Sequence, residues 1–301
     1  MSDHTIKILV TGGSGFLGYS LCKFLSGRHE VFATYCTNPV TVPGCTFIQA
    51  DITDKNRLSE AINRISPTII IHAAAVSSPD ACERSPAMAS SVNVTGTQNI
   101  VHAAEKTGAS LVYVSTDLVY GGEKGNYAEH DIPSPISIYG KTKREAEKIC
   151  LSASTNVLVV RITLQYGWGN KNTRSFSDWL FGNLQTGKKS PLFTDQYRSP
   201  AYVFDTAQGL ELAALYGPTH QIYHLSGPDR IDRYSFGVVL ASTFGYPDIL
   251  LKKSFMSDVE AFAPRPVDVS LNGQKFLHDF NFQPRNIHDG LAAMSRETPE
   301  A

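Results

Sequence analysis

A cluster of glycines near the N-terminus constrains this chain more than any other feature. The segment at 6–25 begins with an apolar run, turns at closely spaced glycines, and continues with leucines at helical spacing. This pattern predicts a strand, a tight turn and a helix. Glycine lets the backbone approach an anion closely, and the first turn of a helix offers unpaired N–H groups and a positive dipole end. The spacing Gly12-x-x-Gly15-x-x-Gly18 therefore indicates a phosphate-binding turn, the alternative being a plain turn whose glycines serve helix packing.

The size and composition of the chain are those of a folded protein with small-molecule partners. Its 301 residues, 42% of them hydrophobic, suffice for a full core, and about 150 residues per domain predicts one large or two interlocked domains. The formal net charge is -1 and no Lys/Arg block occurs, so neither nucleic acid nor a membrane surface is an expected partner. No signal-peptide pattern or apolar run of about 18 residues is present, and we expect a cytoplasmic location. The five scattered cysteines predict reduced thiols and no metal site.

Apolar runs alternate with helical patterns through the first half of the chain. Thr68–His72, for example, is a fully apolar run of the kind that a buried parallel strand requires. The alternation predicts an α/β fold, a Rossmann-type doubly wound parallel sheet with helices on both faces. We predict that residues 1–163, completed by about 202–226, form the dinucleotide-binding domain. Beyond them, 164–201 and 227–301 are predicted to form a smaller, discontinuous C-terminal substrate-binding region, a lid.

The residues after the second predicted strand bear on the choice of cofactor. An ordinary NAD site places an acid about 20 residues beyond the glycines, where it holds the ribose 2′-hydroxyl. That place holds Tyr35, Cys36, Thr37 and Asn38, none of which is acidic. No arginine follows that would hold a 2′-phosphate. The sequence therefore favours NADP modestly and keeps NAD possible.

Polar residues at the end of one predicted strand and the start of one predicted helix are the strongest candidates for catalysis in the chain. Thr116 ends a predicted buried strand, and ligands of open parallel sheets bind outside the carboxyl ends of the strands. Tyr139 and Lys143 lie four residues apart on one helix face, a spacing at which the ammonium can lie near the phenol. A phenol has a pKa of about 10, and a nearby cation stabilises its phenolate. A surface pair is the alternative for any Tyr-x-x-x-Lys, but the location of this pair after Thr116 favours catalysis.

Motifs along nearly the whole chain resemble those of one known enzyme family. The chain resembles the extended short-chain dehydrogenase/reductase family, and within it the dTDP-4-dehydrorhamnose reductase group. The motifs that carry the family resemblance are TGGSGFLG at 11–18, ADIT at 50–53, HAAA at 72–75, VNVTGTQN at 92–99, STDLVYGG at 115–122 and YGKTK at 139–143. Those that carry the closer one are Ser-Thr-Asp-x-Val at 115–119, Pro135, Asp195-Gln196, Ser199-Pro200 and Arg265-Pro266-x-Asp268-x-Ser270-Leu271.

The resemblance implies a reaction and a set of site residues. Thr116, Tyr139 and Lys143 would be the catalytic triad of an NAD(P)H-dependent reductase acting on a 4-keto-6-deoxy sugar nucleotide. Hydride would pass to the ketone carbon while Tyr139 gives a proton to its oxygen. A homodimer is a possible assembly. The cofactor-binding residues would be Gly12, Ser14, Gly15, Phe16, Leu17, Gly18, Asp51, Ile52, Ala73, Ala74, Ala75, Tyr139 and Lys143.

Two arginines in the predicted lid are candidates for substrate binding. Arg198 and Arg265 each lie beside a proline or one residue from it. The planar fork of an arginine suits the recognition of a diphosphate. The alternative for each is an ordinary solvated surface arginine.

Other functions remain open at this stage. Sugar-nucleotide 4,6-dehydratases of the family carry an acid directly after Thr-Asp, and Leu118 at that place argues against a dehydratase. No motif excludes a nucleotide-sugar 4-epimerase. The regulatory subunit of methionine adenosyltransferase shares this reductase-like fold and acts by binding a partner enzyme. The intact triad favours an enzyme, because a pure binding module has no chemical need for all three residues.

Overall fold

The structure, a computed structural model, describes residues 6–297. Strands and helices alternate over its first part, and shorter elements follow. The strands are β1 Lys7–Thr11, β2 Glu30–Tyr35, β3 Cys45–Gln49, β4 Ile69–His72, β5 Ser110–Thr116, β6 Val157–Ile162, β7 Gln165–Tyr166, β8 Ser190–Phe193, β9 Tyr197–Arg198, β10 Ala201–Tyr202, β11 Gln221–Leu225, β12 Ile231–Asp232 and β13 Leu251–Ser254. The helices are α1 Phe16–Leu25, α2 Lys55–Ile65, α3 Pro79–Arg84, α4 Pro86–Ser90, α5 Gly96–Thr107, α6 Ile138–Leu151, α7 Phe176–Gln185, α8 Val203–Tyr216, α9 Arg233–Thr243, α10 Gln274–Phe280 and α11 Ile287–Ser295.

A seven-stranded parallel sheet organises the molecule. Its strand order is β11-β6-β5-β4-β1-β2-β3, so the direction in which strands are added reverses between β1 and β4. All six pairings are parallel, and the carboxyl ends of the strands therefore meet at one edge. This confirms the predicted Rossmann-type α/β fold. Ligands of such sheets bind at the reversal point, where Thr11 and His72 are paired as the last residues of β1 and β4.

Apolar side chains cover both faces of the sheet. Successive residues of a strand point to opposite faces, so Ile70 and Ile71 of β4 enter different clusters. The cluster with Ile71 includes Leu21 of α1 and Leu210 of α8. The cluster with Ile70 includes residues of α2 and α5, among them Ile100. This two-sided burial explains why the strand sequence is apolar throughout rather than alternating.

A second apolar core lies beyond the sheet. It includes Leu180 of α7, Phe236 and Leu240 of α9 and Leu291 of α11. Three two-stranded ladders, β7 with β10, β9 with β12 and β8 with β13, belong to this part of the chain. The buried indole of Trp168 donates a hydrogen bond of 2.9 Å to the carbonyl oxygen of Met294. This tryptophan therefore packs within the core of the C-terminal part.

All five cysteines are free thiols. Within residues 6–297, no three His, Cys, Asp or Glu side chains come together as a metal site would require. None of the helices described there combines the length and the apolar character needed to span a bilayer.

We predict that Ile71→Ala destabilises the fold through a cavity in the sheet core. Ile71 is 0% exposed, and such truncations cost about 2–5 kcal/mol of unfolding free energy. Ile132→Ala is the matched control, since Ile132 is 86% exposed and should change stability by no more than about 0.5 kcal/mol. Urea unfolding of both variants measures the difference. Equal losses would contradict this assignment of the core.

Candidate active site

The turn between β1 and α1 leaves no room for side chains at Gly12 and Gly18. Gly12 has a φ of +72°, and a Cβ there would lie 2.7 Å from the Cα of Ala74. A Cβ on Gly18 would collide with the carbonyl oxygen of Gly12. The Gly15 N–H donates to that oxygen at 2.9 Å and closes the turn. Because Gly15, the residue that precedes α1 as its N-cap, supplies no side-chain cap and the first turn of α1 holds no acid, this turn suits the binding of an anion.

A buried hydrogen-bond chain fixes the strand ends on either side of the reversal point. Thr97 donates to the Asn93 carbonyl at 2.7 Å, so its hydroxyl accepts from His72 Nε2 at 3.1 Å. The other ring nitrogen of His72 then accepts from the Thr11 hydroxyl at 2.6 Å, and the Ala74 N–H donates to that hydroxyl. Burial, aided by the charge of Lys143, lowers the pKa of His72 to about 3. His72 is therefore a neutral structural group that connects β1, β4 and α5.

Thr116 and Tyr139 meet at the carboxyl end of β5. The Thr116 hydroxyl accepts from the Leu118 N–H at 3.1 Å, which fixes the side chain at the start of a 3₁₀ turn. Burial raises the pKa of the Tyr139 phenol, while a hydrogen bond with Thr116 opposes that rise. The phenol is consequently protonated at neutral pH. A protonated phenol carries the proton that a donor needs, although the raised pKa by itself makes it a weaker acid.

Lys143 lies one helical turn beyond Tyr139, and its ammonium group contacts two residues of β5. Its Nζ donates to the carbonyl oxygen of Val114 at 2.6 Å and lies 4.1 Å from the centre of the Tyr113 ring. A position beside the phenol of Tyr139, which the helical spacing allows, is not among these contacts. Burial lowers the pKa of Lys143 to about 8. The cation is thus held at the floor of the site by a backbone carbonyl and an aromatic ring.

Asn93 connects two parts of the site, a role that the sequence interpretation missed. It lies in a π-helical turn, Ser91–Thr95, between α4 and α5. Its side-chain oxygen accepts from the Val76 N–H at 2.8 Å, and its amide donates to the Val76 carbonyl at 3.2 Å and to Thr142 at 3.0 Å. The loop after β4 is thereby joined to the helix of Tyr139. The signal for this role lay within the VNVTGTQN motif, which the sequence interpretation used only for family resemblance.

A buried ion pair anchors α6, the helix that carries Tyr139 and Lys143, to the sheet. Arg161 of β6 makes two hydrogen bonds of 2.8 Å to the carboxylate of Glu147 on α6, and Ser115 of β5 donates to the same carboxylate at 2.6 Å. Both members of the pair are at most 1% exposed. Burial alone would raise the pKa of Glu147, but the hydrogen bonds and charge of Arg161 outweigh it and lower the pKa. Arg161 therefore has a structural role in the described contacts.

One cavity of about 960 Å³ collects the predicted site residues. It extends from the glycine turn, past the end of β4, to the C-terminal part of the chain. Every residue predicted from the sequence to bind cofactor or substrate, or to act in catalysis, lines this cavity. The structure thus brings these residues to one place, and their individual roles stay predictions. The lining includes Gly12, Ser14, Gly15, Phe16, Leu17, Gly18, Asp51, Ile52, Ala73, Ala74, Ala75, Thr116, Tyr139, Lys143, Arg198 and Arg265.

The far end of the cavity near β2 is shaped by Asp51 and Ile52. The Asp51 carboxylate accepts hydrogen bonds from the N–H and the hydroxyl of Thr53, both at 2.8 Å. These bonds, led by the backbone one, lower its pKa. The carbonyl oxygen of Ile52 accepts from Asn99 at 2.9 Å, and a Cβ on Gly96 would lie 2.6 Å from the Ile52 side chain. The loop after β3 therefore packs against α5, and the carboxylate of Asp51 lines this end of the cavity.

Arginines concentrate at the opposite end of the cavity. Arg198 is buried, and its Nη1 lies 3.2 Å from the carboxylate of Asp117. Arg233, at the start of α9, was missed by the sequence interpretation because nothing near it resembles a motif. Its Nε donates to Gln196 at 3.1 Å, and its buried Nη1 has no hydrogen-bond partner among the described residues. Burial and the charges of Arg198 and Arg265 lower its pKa to about 9, so this end favours an anionic group.

The comparisons with known proteins agree with this geometry. The family described as "RmlD substrate binding domain" matches residues 6–299. The chain belongs to this family. A dTDP-4-dehydrorhamnose reductase from Aggregatibacter actinomycetemcomitans is 31% identical to this member of the RmlD substrate-binding-domain family over 302 residues, covering 95% of this chain and 97% of the relative. The resemblance to that reductase group is thereby confirmed.

Two further proteins are similar over most or all of their length. The crystal structure of the dTDP-4-dehydrorhamnose reductase from Bacillus anthracis in complex with NADP has a TM-score of 0.84 at 25% identity, covering 98% of this chain and 100% of its own. Methionine adenosyltransferase 2 subunit beta from Pongo abelii is 32% identical over 274 residues, covering 89% of this chain and 81% of the relative. The RmlD substrate-binding-domain member described here thus has relatives named as a reductase and as a subunit of another enzyme.

We predict that Glu147→Gln destabilises the protein by about 3–5 kcal/mol, because it leaves the buried Arg161 charge without its counter-ion. Glu145→Gln is the control on the same helix. Its pair with Lys148 is 3.3 Å long but more than half exposed, and pairs of this kind contribute about 0–1 kcal/mol. Chemical unfolding at pH 7 measures both values. Similar small losses in the two variants would contradict the proposed anchoring of α6.

Proposed function

We propose that this protein is an NADPH-dependent reductase of a 4-keto-6-deoxy sugar nucleotide. The observation that carries the proposal is the single cavity that joins a glycine turn suited to an anion, the Thr116, Tyr139 and Lys143 side chains, and a group of arginines. The dTDP-4-dehydrorhamnose reductase relative, 31% identical over 95% of this chain, supports the same reaction class. A nucleotide-sugar 4-epimerase uses similar groups and remains the nearest enzymatic alternative.

The cofactor end of the site fits a dinucleotide. The backbone of Gly12 and Gly15 and the start of α1 would hold the pyrophosphate, because a side chain at Gly12 has no room and no acid repels an anion there. Ala73–Ala75 would line the nicotinamide. When NADPH is bound, its reduced nicotinamide supplies a hydride. The Bacillus anthracis reductase was crystallised in complex with NADP, and NAD remains an allowed alternative because Cys36 and Thr37 supply no cation for a 2′-phosphate.

The protein's own groups would hold the ketone and move one proton. Thr116 would donate a hydrogen bond to the ketone oxygen, which orients the carbonyl. Tyr139, whose phenol is protonated at neutral pH, would deliver its proton to that oxygen as negative charge develops there. The Lys143 ammonium, on the next turn of the helix, would hold the cofactor ribose and stabilise the phenolate that Tyr139 becomes.

The arginines would bind the diphosphate of the substrate. Arg198 and Arg265 were predicted for this role, and we add Arg233, whose buried Nη1 is a donor without a partner among the described residues. Planar forks of this type suit the bidentate binding of phosphate oxygens. In this proposal residues 1–163, completed by about 202–226, bind the cofactor, and 164–201 and 227–301 bind the substrate.

A second candidate function is supported by one specific comparison. The 32% identity with methionine adenosyltransferase 2 subunit beta would suit a non-catalytic subunit that binds NADP and a partner enzyme. In the described contacts the Lys143 ammonium is engaged by the Val114 carbonyl and the Tyr113 ring, which is compatible with a site that binds without reacting. The two candidates differ in what they require of the phenol. Only the reductase needs the proton that Tyr139 would donate.

We predict that Tyr139→Phe lowers kcat for ketone reduction by about 10²–10⁴-fold, because it removes the proton donor. Binding of NADP should be unchanged, since the ring and its packing remain. The measurement is NADPH oxidation with a 4-keto-6-deoxy sugar nucleotide, alongside calorimetric titration with NADP. If wild type reduces no keto sugar, and if tight binding to a partner protein is unaffected by this substitution, the non-catalytic candidate replaces the reductase.

We also predict a basic limb in the pH dependence of the reaction. Lys143, whose pKa is lowered to about 8 by burial, is charged below that pH and loses its charge as the pH rises through it. Tyr139 stays protonated over the same interval, so kcat/KM should decrease above pH about 8. Initial rates from pH about 6 to about 9.5 test this. A profile that stays level across that interval would show that the charge of Lys143 is not needed.

A further inference from the structure

The short helix α3 lies between α6 and a segment of the C-terminal part. It follows the loop that begins at the end of β4, and its first two residues, Pro79 and Asp80, line the cavity. On one side of it passes the segment 262–266, which we call the strap. Four strap residues also line the cavity, and Arg265 is among them. The strap contains neither helix nor strand, so its position depends on its contacts.

Three contacts from α3 hold the strap. The Asp80 carboxylate accepts a hydrogen bond of 2.9 Å from the N–H of Ala263. Its other oxygen lies 3.9 Å from Nη2 of Arg265. The Arg84 guanidinium lies 5.1 Å from the centre of the Phe262 ring, within cation–π distance. One short helix thus contacts the strap at its backbone, at its cavity-lining arginine and at an aromatic side chain.

The same short helix also contacts α6, the helix that carries Tyr139. The Glu83 carboxylate accepts a hydrogen bond of 2.7 Å from the N–H of Ile138, the first residue of α6. Cys82 is buried in a small apolar cluster that includes Tyr139. Ile138 is the residue before that tyrosine, so α3 fixes the start of the helix on which the proton donor lies. The six residues of α3 therefore connect the strap to the start of α6.

We infer that Asp80 is a positioning residue for the substrate nucleotide, which it serves by fastening the strap so that Arg265 faces the diphosphate. This inference rests on the proposed function and extends it to a residue without a role so far. The hydrogen bond to Ala263 is the main fastening. The ion pair with Arg265 is long and about one-third exposed on each side, and such pairs contribute little. Glu83, on the same helix, positions Tyr139 instead.

This division of roles follows from the geometry of the two carboxylates. The contacts of Asp80 described here go to the strap, so its loss should weaken nucleotide binding and leave the reacting groups in place. The hydrogen bond of Glu83 goes to the start of α6, so its loss should disturb proton delivery and leave the diphosphate contacts in place. If α3 had only a structural role, loss of either carboxylate would affect nucleotide binding and proton delivery together.

The experiment compares Asp80→Ala with Asp80→Asn in the full chain at saturating NADP. Asparagine keeps an oxygen that accepts from the Ala263 N–H, and alanine does not. The Kd for dTDP, measured by calorimetry, should increase about 10-fold in Asp80→Ala, the loss expected for one hydrogen bond, and about 3-fold or less in Asp80→Asn. Glu260→Ala, which removes an exposed carboxylate two residues before the strap, should leave the Kd at the wild-type value.

Steady-state kinetics provide the second measurement. Asp80→Ala should raise KM for the keto sugar nucleotide about 10-fold with kcat within about 3-fold of wild type, whereas Glu83→Ala should lower kcat about 10-fold with little change in the Kd for dTDP. A wild-type Kd for dTDP in Asp80→Ala, or equal weakening in Asp80→Asn and Asp80→Ala, would overturn the inference. If wild type binds dTDP but reduces no keto sugar, the proposed function fails, and the calorimetric comparison still decides the role of Asp80.

Discussion

The described site depends on the buried ion pair between Arg161 and Glu147, because this pair joins α6, the helix of Tyr139 and Lys143, to the sheet. Arg161 belongs to β6, Glu147 to α6, and Ser115 of β5 completes the carboxylate's hydrogen bonds. Thr116 is the next residue on β5, and Tyr139 lies about two turns before Glu147 on the helix. The contact between Thr116 and Tyr139 follows from this anchoring. A buried pair of this kind holds one geometry, since each charge would be costly to leave alone.

The second constraint on the site is the removal of water. Burial raises the pKa of Tyr139 and lowers the pKa of Lys143. The phenol therefore retains its proton, and the ammonium group loses its proton at a lower pH than a lysine in water does. Burial also keeps His72 neutral between its two threonine partners. The three groups differ in role although the cause of their shifts is the same. The three groups differ in their hydrogen-bond partners. Tyr139 bonds with the hydroxyl of Thr116, Lys143 donates to a backbone carbonyl, and His72 lies between two threonine hydroxyls.

Much of the fold and the location of the site followed from local patterns. The apolar strands and the glycine turn predicted the parallel sheet, because the spacing of apolar residues and of glycines can be read from short stretches of the chain. The carboxyl ends of parallel strands share one edge of the sheet, and this rule alone predicted that Thr116 and the turn at Gly12 border the same cavity. The contacts of the Lys143 ammonium could not be predicted from the sequence, because helical spacing determines the face of α6 on which Lys143 lies but not its side-chain rotamer. Arg233 and Asn93 were missed because their roles arise from contacts with residues far away in the chain.

By itself, the sequence determined that this chain forms a Rossmann-type α/β fold with a tyrosine and a lysine on one helix face. It could do so because glycine spacing and strand periodicity act over a few residues. Only the tertiary structure decided that arginines from the C-terminal part complete the same cavity, and that α3 connects the strap to the start of α6. These contacts join segments that are far apart in the chain, and their geometry depends on how the two cores pack.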